Sequence, residues 1–144
     1  NANRNTEKYN ELGFSVVRDS NTTFDGPLRG FYAGLVHSDS DYVAFAPCDC
    51  PFFPLNLVQQ LAESLINSRV QISMAVAGGR PQPVFAIVST DLQNSLIKFL
   101  ENGGRKIRHW VESENYATVS FSDSMAFDNI NTADDLREAE TRLP

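Results

Sequence analysis

This chain lacks basic clusters, long apolar runs and phosphate-gripping loops. Twelve Lys and Arg stand against 18 Asp and Glu over 144 residues, a net charge of −6. With no Lys/Arg patch, general binding to nucleic acid is not expected. A nucleotide is still admissible if a metal and backbone amides meet its charge. No apolar run approaches the ~20 residues of a membrane span. A basic segment leading into an apolar secretory core is also missing, so neither a membrane partner nor secretion is expected. The two cysteines, Cys48 and Cys50, lack further Cys or a nearby His to complete a zinc site. They read as small buried hydrophobes, reduced as in a cytoplasmic protein. His37 and His109 lie far apart with no Ser or Cys in a nucleophile setting, leaving a hydrolytic triad unsupported. There is no Walker loop and no GxGxxG. If the chain binds a nucleoside triphosphate, its main phosphate loop must lie elsewhere. The sequence opens at Asn1 without methionine, inside what reads as a loop, and the expectation is a piece of a longer protein.

What is present is globular. At 42% hydrophobic and 21% charged, a chain of this length forms one domain that buries roughly two-thirds of its unfolded surface. Helices are expected over Glu7–Leu12 with Gly13 as cap, Leu28–His37, Pro54–Ser68, Thr90–Glu101, Lys106–Val111 and Thr132–Arg142. In the helix over Pro54–Ser68, Val58, Leu61, Leu65, Ala62 and Ile66 share the inward face. Strands are expected over Phe14–Val17, Tyr42–Ala46, Val70–Ala77, Pro83–Ser89 and Ala117–Phe121, with Ala126–Ile130 short and extended. Tyr42–Ala46 is apolar without alternation, which suggests a strand buried on both faces in mid-sheet. The short Gly78–Gln82 connection makes its flanking strands antiparallel if they pair. This order describes an α/β three-layer sandwich.

Polar clusters fall at or near the carboxyl ends of these strands: Asn1-Ala2-Asn3-Arg4, Arg18-Asp19-Ser20, Cys48-Asp49-Cys50 and Asn129-Ile130-Asn131-Thr132. Each alone is a turn or cap. Together they mark the crevice where open α/β sheets bind ligands. Asp49, past the apolar run and before Pro51 and Pro54, either caps the next turn or holds a divalent cation against a phosphate. Gly26-Pro27-Leu28-Arg29-Gly30 opens a helix, as a plain turn or as an anion-receiving start. Arg29 reads as a solvated surface charge, Gly103-Gly104 as helix punctuation, and Trp110 as core.

Asn1-Ala2-Asn3-Arg4, Val17-Arg18-Asp19, Gly26-Pro27-Leu28-Arg29-Gly30, Pro47-Cys48-Asp49-Cys50-Pro51-Phe52, Gln82-Pro83-Val84 and Asn129-Ile130-Asn131-Thr132 resemble, in order and spacing, the molybdenum cofactor guanylyltransferases of the MobA family. The resemblance implies a Rossmann-like, mostly parallel sheet with helices on both faces. It implies transfer of GMP from GTP to molybdopterin with Mg²⁺, releasing diphosphate. Carried over by position, Asn1, Asp19 and Asp49 are nucleotide-binding residues. Asp49 is the catalytic residue and magnesium ligand, and Gly26, Gly30, Asn129 and Asn131 receive the pterin. Other cofactor-biosynthesis proteins and molybdoenzymes are the further partners implied. The family's amino-terminal phosphate-holding segment is missing, so this chain alone is expected to be inactive. Ala133 stands where the family usually has proline. Two alternatives stay open: a sister nucleotidyltransferase using CTP or making a nucleotide sugar, and a non-catalytic module that docks a cofactor or a partner.

Overall fold

A computed structural model describes residues 6–13, 15–17 and 28–142. Its elements are α1 (Thr6–Glu11), α2 (Leu28–His37), β1 (Tyr42–Phe45), α3 (Leu57–Ser68), β2 (Ile72–Ala77), β3 (Arg80–Ser89), α4 (Gln93–Glu101), α5 (Ile107–Glu112), β4 (Tyr116–Phe121) and α6 (Ala133–Glu140). Short 3-10 turns occupy Thr90–Leu92 and Met125–Phe127. Ser15, Val16 and Val17 lie in no strand, contrary to expectation there.

The four strands form one sheet in the order β1-β3-β2-β4. β3 is antiparallel to both its neighbours, while β2 and β4 are parallel. β1, β2 and β4 therefore point the same way and end at one common edge. Alternation along the two inner strands splits the apolar residues between two cores. Ile72 and Met74 of β2 with Ala86 and Val88 of β3 face α2, α4 and α5, and Trp110 and Leu96 are fully buried among them. Ala75 and Ala77 with Phe85 and Ile87 face α3, joined by Cys50, Phe121 and Phe127. Helices thus cover both faces, and the three-layer α/β architecture holds.

Three local expectations need correction. β1 is an edge strand of the described sheet, with Val43 and Phe45 half-buried and Tyr42 and Ala44 exposed. Its apolar run reflects packing of one face on α2, since alanine conceals the alternation. In α3 the buried line is Leu57, Leu61 and Leu65, one residue per turn. Val58 and Ile66 flank it and are exposed. β3 begins at Arg80, ahead of Pro81 and Pro83. β1 stops opposite Ala86, so among the described residues the Arg80–Phe85 half has β2 as its one neighbour, and the register with β2 shifts between Met74 and Ala75. A bulged strand with a free side tolerates proline. Gly78 and Gly79 both take positive φ, +55° and +74°, as the two-residue turn from β2 into β3 demands.

Candidate functional site

The helix α2 is laid down antiparallel to β1. Phe31 stacks on Phe45 with ring centroids 3.9 Å apart. One turn later, a Cβ on Gly34 would fall 2.7 Å from the Phe45 ring and 3.7 Å from Val43. Only glycine admits so close an approach. The contacts therefore run back down the strand as the helix advances, which puts the first turn of α2, with Gly30, at the sheet's carboxyl edge. Arg29 is half-buried there rather than fully solvated.

At the same edge, β1 runs out through Pro47 into a turn carrying Cys48, Asp49 and Cys50. Cys48 is exposed and Cys50 is buried, so only one cysteine behaves as a core residue. The segment that closes on this turn comes from far along the chain. After the 3-10 turn Met125–Phe127, residues 128–131 form an irregular strap that passes Asp49. The backbone N–H of Ile130 donates to the Asp49 carbonyl at 2.7 Å. Asn129 Nδ2 donates to Asp49 Oδ2 at 3.0 Å. The thiol of Cys50 lies 3.0 Å from Asn129 Oδ1, 3.7 Å from the Phe127 carbonyl and 3.8 Å from Asp49 Oδ1. Burial, then the neighbouring Asp49 charge, pushes this thiol up to about 11.

The strap's other end is tied to α6. Thr132 Oγ1 accepts from the Asp135 backbone N–H at 3.1 Å. Asp135 Oδ2 accepts from the N–H groups of Asn131 and Thr132, both at 2.9 Å. This reciprocal arrangement is a capping box. Those backbone bonds hold the Asp135 carboxyl below the usual carboxylate range. Beside the strap is a groove of about 270 Å³ lined by Phe52, Asp128, Asn129, Glu138 and Arg142 among others. Arg142 lies over the Phe52 ring at 5.7 Å and pairs with Glu138 at 2.9 Å.

The structure brings Asp49 and Asn129 into direct contact and puts Asn131 two residues further along the same strap. Gly30 lies at the same edge on α2. Asn1, Asp19 and Gly26 lie outside the described residues. The residue that sequence reasoning passed over is Cys50, whose neighbours only the fold supplies. Among the described residues, no cluster of three or more His, Cys, Asp or Glu side chains could hold a metal by itself. A lone carboxylate with one oxygen pinned by an amide still fits Mg²⁺, which keeps waters and takes the rest of its shell from substrate phosphates.

A three-layer α/β fold with polar side chains gathered beyond the carboxyl ends of its strands is the class that takes ligands in that crevice. Residues 1–119 match the model of the MobA-like NTP transferase domain, and the chain belongs to that family. It is 43% identical, over 98% of its length and 74% of the relative's, to the molybdenum cofactor guanylyltransferase of Bordetella pertussis. Against the enzyme of that name from Cupriavidus metallidurans the figures are 42%, 98% and 72%. The strap bearing Asn129 and Asn131 lies beyond the family match but within these longer alignments. Among solved structures, the molybdopterin-guanine dinucleotide biosynthesis protein A of Archaeoglobus fulgidus superposes with a TM-score of 0.73, at 22% identity over 96% of this chain and 74% of that one. A protein from Aquifex aeolicus VF5 gives 0.74, at 21% identity over 88% and 66%. At such identities the two structures speak for the fold.

Proposed function

We infer that this protein transfers GMP from GTP to molybdopterin, forming the guanine dinucleotide cofactor and releasing diphosphate. The observation that carries the reading is the Asp49 carboxylate, held by Asn129 Nδ2 at the carboxyl edge of the sheet, in a chain over 40% identical to named guanylyltransferases. In the reaction a phosphate oxygen of the pterin attacks the α-phosphorus of GTP. One P–O bond forms, the bond from the α-phosphorus to the bridging oxygen breaks, and diphosphate leaves with that electron pair. Catalysis of this kind is chiefly positioning and neutralisation of charge. Mg²⁺, when bound, would supply the charge that neutralises the phosphates.

Asp49 is the residue that would hold the ion. The need for a cation is supported by charge: Asp49, Asp128, Asp135 and Glu138 collect along this edge and groove. Of the cations at this edge, Arg142 is paired to Glu138 and Arg29 sits on α2, so these four carboxylates outnumber the two arginines in the described part of the crevice. Asn129 and Asn131, on the strap, and Gly30, on α2, are the side of the crevice assigned to the pterin. Asn1 and Asp19 complete the nucleotide side and Gly26 the pterin side in this proposal. A cytoplasmic setting follows from a role in cofactor assembly.

The test compares thermal unfolding with GTP or CTP in the presence of Mg²⁺. A ligand at 100 times its Kd adds about 2.7 kcal/mol. GTP should raise Tm more than CTP, and Asp49→Ala should abolish the Mg²⁺-dependent part; with the family's amino-terminal phosphate-holding segment present, guanylyl transfer should fall at least ~100-fold, about 2.7 kcal/mol of transition-state stabilisation. Equal shifts with both nucleotides would turn the assignment towards a sister nucleotidyltransferase, and wild-type turnover by Asp49→Ala would remove Asp49 from the chemistry.

A further inference from the structure

We propose that the buried thiol of Cys50 is a positioning group for the Asp49 carboxylate, acting through the side-chain amide of Asn129. The inference rests on Asp49 being the cation ligand, as argued above. A carboxylate can only accept, so the Asn129 atom 3.0 Å from Asp49 Oδ2 must be its NH₂ end. That choice turns the amide oxygen inward, to 3.0 Å from Cys50 Sγ. The sulfur carries one proton and has three acceptors in view. The carbonyl of Phe127 and Asp49 Oδ1, at 3.7 and 3.8 Å, are the distant ones.

Reversing the amide would set its oxygen against the carboxylate and its NH₂ against the sulfur. The Asp49 carboxylate sets which way Asn129 points, and the Cys50 proton, donated to Asn129 Oδ1, strengthens that orientation and holds the amide on Oδ2. Oδ1 is then left for the ion. Cys48 cannot take the part because it is exposed. Partners that orient a metal ligand in this way typically change metal affinity about 10- to 100-fold when removed.

Cys50 is also 1% exposed and belongs to the core beneath α3, so the variants must separate packing from orientation. Cys50→Val keeps the apolar bulk and loses the proton. Cys50→Ser keeps a donor and places a hydroxyl among apolar neighbours. Binding of Mn²⁺, a paramagnetic substitute for Mg²⁺, is read by loss of the free-ion EPR signal, with Tm measured on the same samples and Asp49→Asn as control. The expected result is a Mn²⁺ dissociation constant raised about 10-fold in Cys50→Val and close to the unsubstituted value in Cys50→Ser, even where Ser lowers Tm more. A packing role predicts the reverse order. That reverse order, or equal affinity in all three proteins, overturns the proposal while leaving Asp49 as ligand. If the unsubstituted protein takes up no more Mn²⁺ than Asp49→Asn, the cation reading fails and the proposal falls with it. Should Cys50→Val not fold, Cys50→Ala is titrated in its place with the same opposing outcomes.

Discussion

The two faces of the sheet are covered by the same physics and put to different use. Beneath α2, α4 and α5 lies an apolar core in which Trp110 is fully buried and meets Phe31 edge-on at 6.4 Å. None of the described candidate site residues is part of it, although Gly30 lies on α2 between its members Leu28 and Phe31. Beneath α3 the second core is built from Leu57, Leu61 and Leu65 and an aromatic group, Phe85, Phe121 and Phe127, with centroids 4.9 and 5.4 Å from Phe127. This core runs to the carboxyl edge and includes Cys50, whose thiol meets Asn129. Phe127 stands two residues before Asn129 on the same strap. The first face sets the place of Gly30 through α2, whereas the second packs directly beneath Asp49 and the strap.

The largest expected effect breaks that comparison if it is wrong. Trp110→Ala and Phe127→Ala each remove a large buried aromatic ring, which costs about 3–5 kcal/mol, measured by chemical denaturation. Their consequences at the site should diverge. Below the midpoint, Trp110→Ala should keep the Mg²⁺-dependent thermal shift produced by GTP, while Phe127→Ala should weaken it because the strap loses its anchor. Equal retention in both would mean that the second core is no more coupled to the site than the first.

How far all this was legible follows the same division. Helices with one apolar residue per turn were visible: α2 spans Leu28–His37 as expected, and the strands joined by Gly78-Gly79 are antiparallel. The edge position of β1 was hidden because Ala44 and Ala46 read as apolar whether buried or not. The start of β3 was hidden by two prolines, which sit where β1 has already stopped and next to the register shift with β2. Asp49 and Asn129 were picked out as separate clusters converging on one crevice, and their direct contact was not foreseen. No local pattern announces a contact across 80 residues. Cys50 looked like a small hydrophobe, which it is, and its second role requires knowing what its proton faces. The acidic first turn of α6 was visible as a helix-start preference, while its reciprocal cap became clear only from the bonds of Thr132 and Asp135.

That cap sharpens the comparison at intermediate size. Thr132→Ala should cost about 1 kcal/mol, the usual worth of an N-cap side chain. It also frees the end of the strap nearest Asn131, so the nucleotide-dependent shift should fall slightly more than stability alone predicts. The pH dependence has a fixed sign. Asp135 is held below its ordinary range by the backbone N–H groups of Asn131 and Thr132. Its contribution is therefore present above the unfolded carboxylate value of about 3.9 and is lost as pH falls through the lower folded value. Asp135→Asn should flatten that part of the acid limb in a titration of unfolding free energy between about pH 5 and 2. An unchanged limb would show that the capping bonds do not persist in solution.

The smallest effect tests whether the second core is coupled to the site along its whole length or only at the carboxyl end. Ser73 is fully buried, pairs with Ile87 across the sheet on the α3 side, and its Oγ has no hydrogen-bond partner among the described residues. A buried hydroxyl without a partner costs about 1–3 kcal/mol relative to an apolar group. Ser73→Ala removes that cost at the price of one atom of packing, so denaturant midpoints should rise or hold, with a gain of up to about 1 kcal/mol. Ser73 lies near the start of β2, at the end of the strand away from Asp49, and the Mg²⁺-dependent response to GTP should not change. If stability rises and the response moves with it, the coupling runs through the entire α3 side and is not confined to Phe127, Cys50 and the strap.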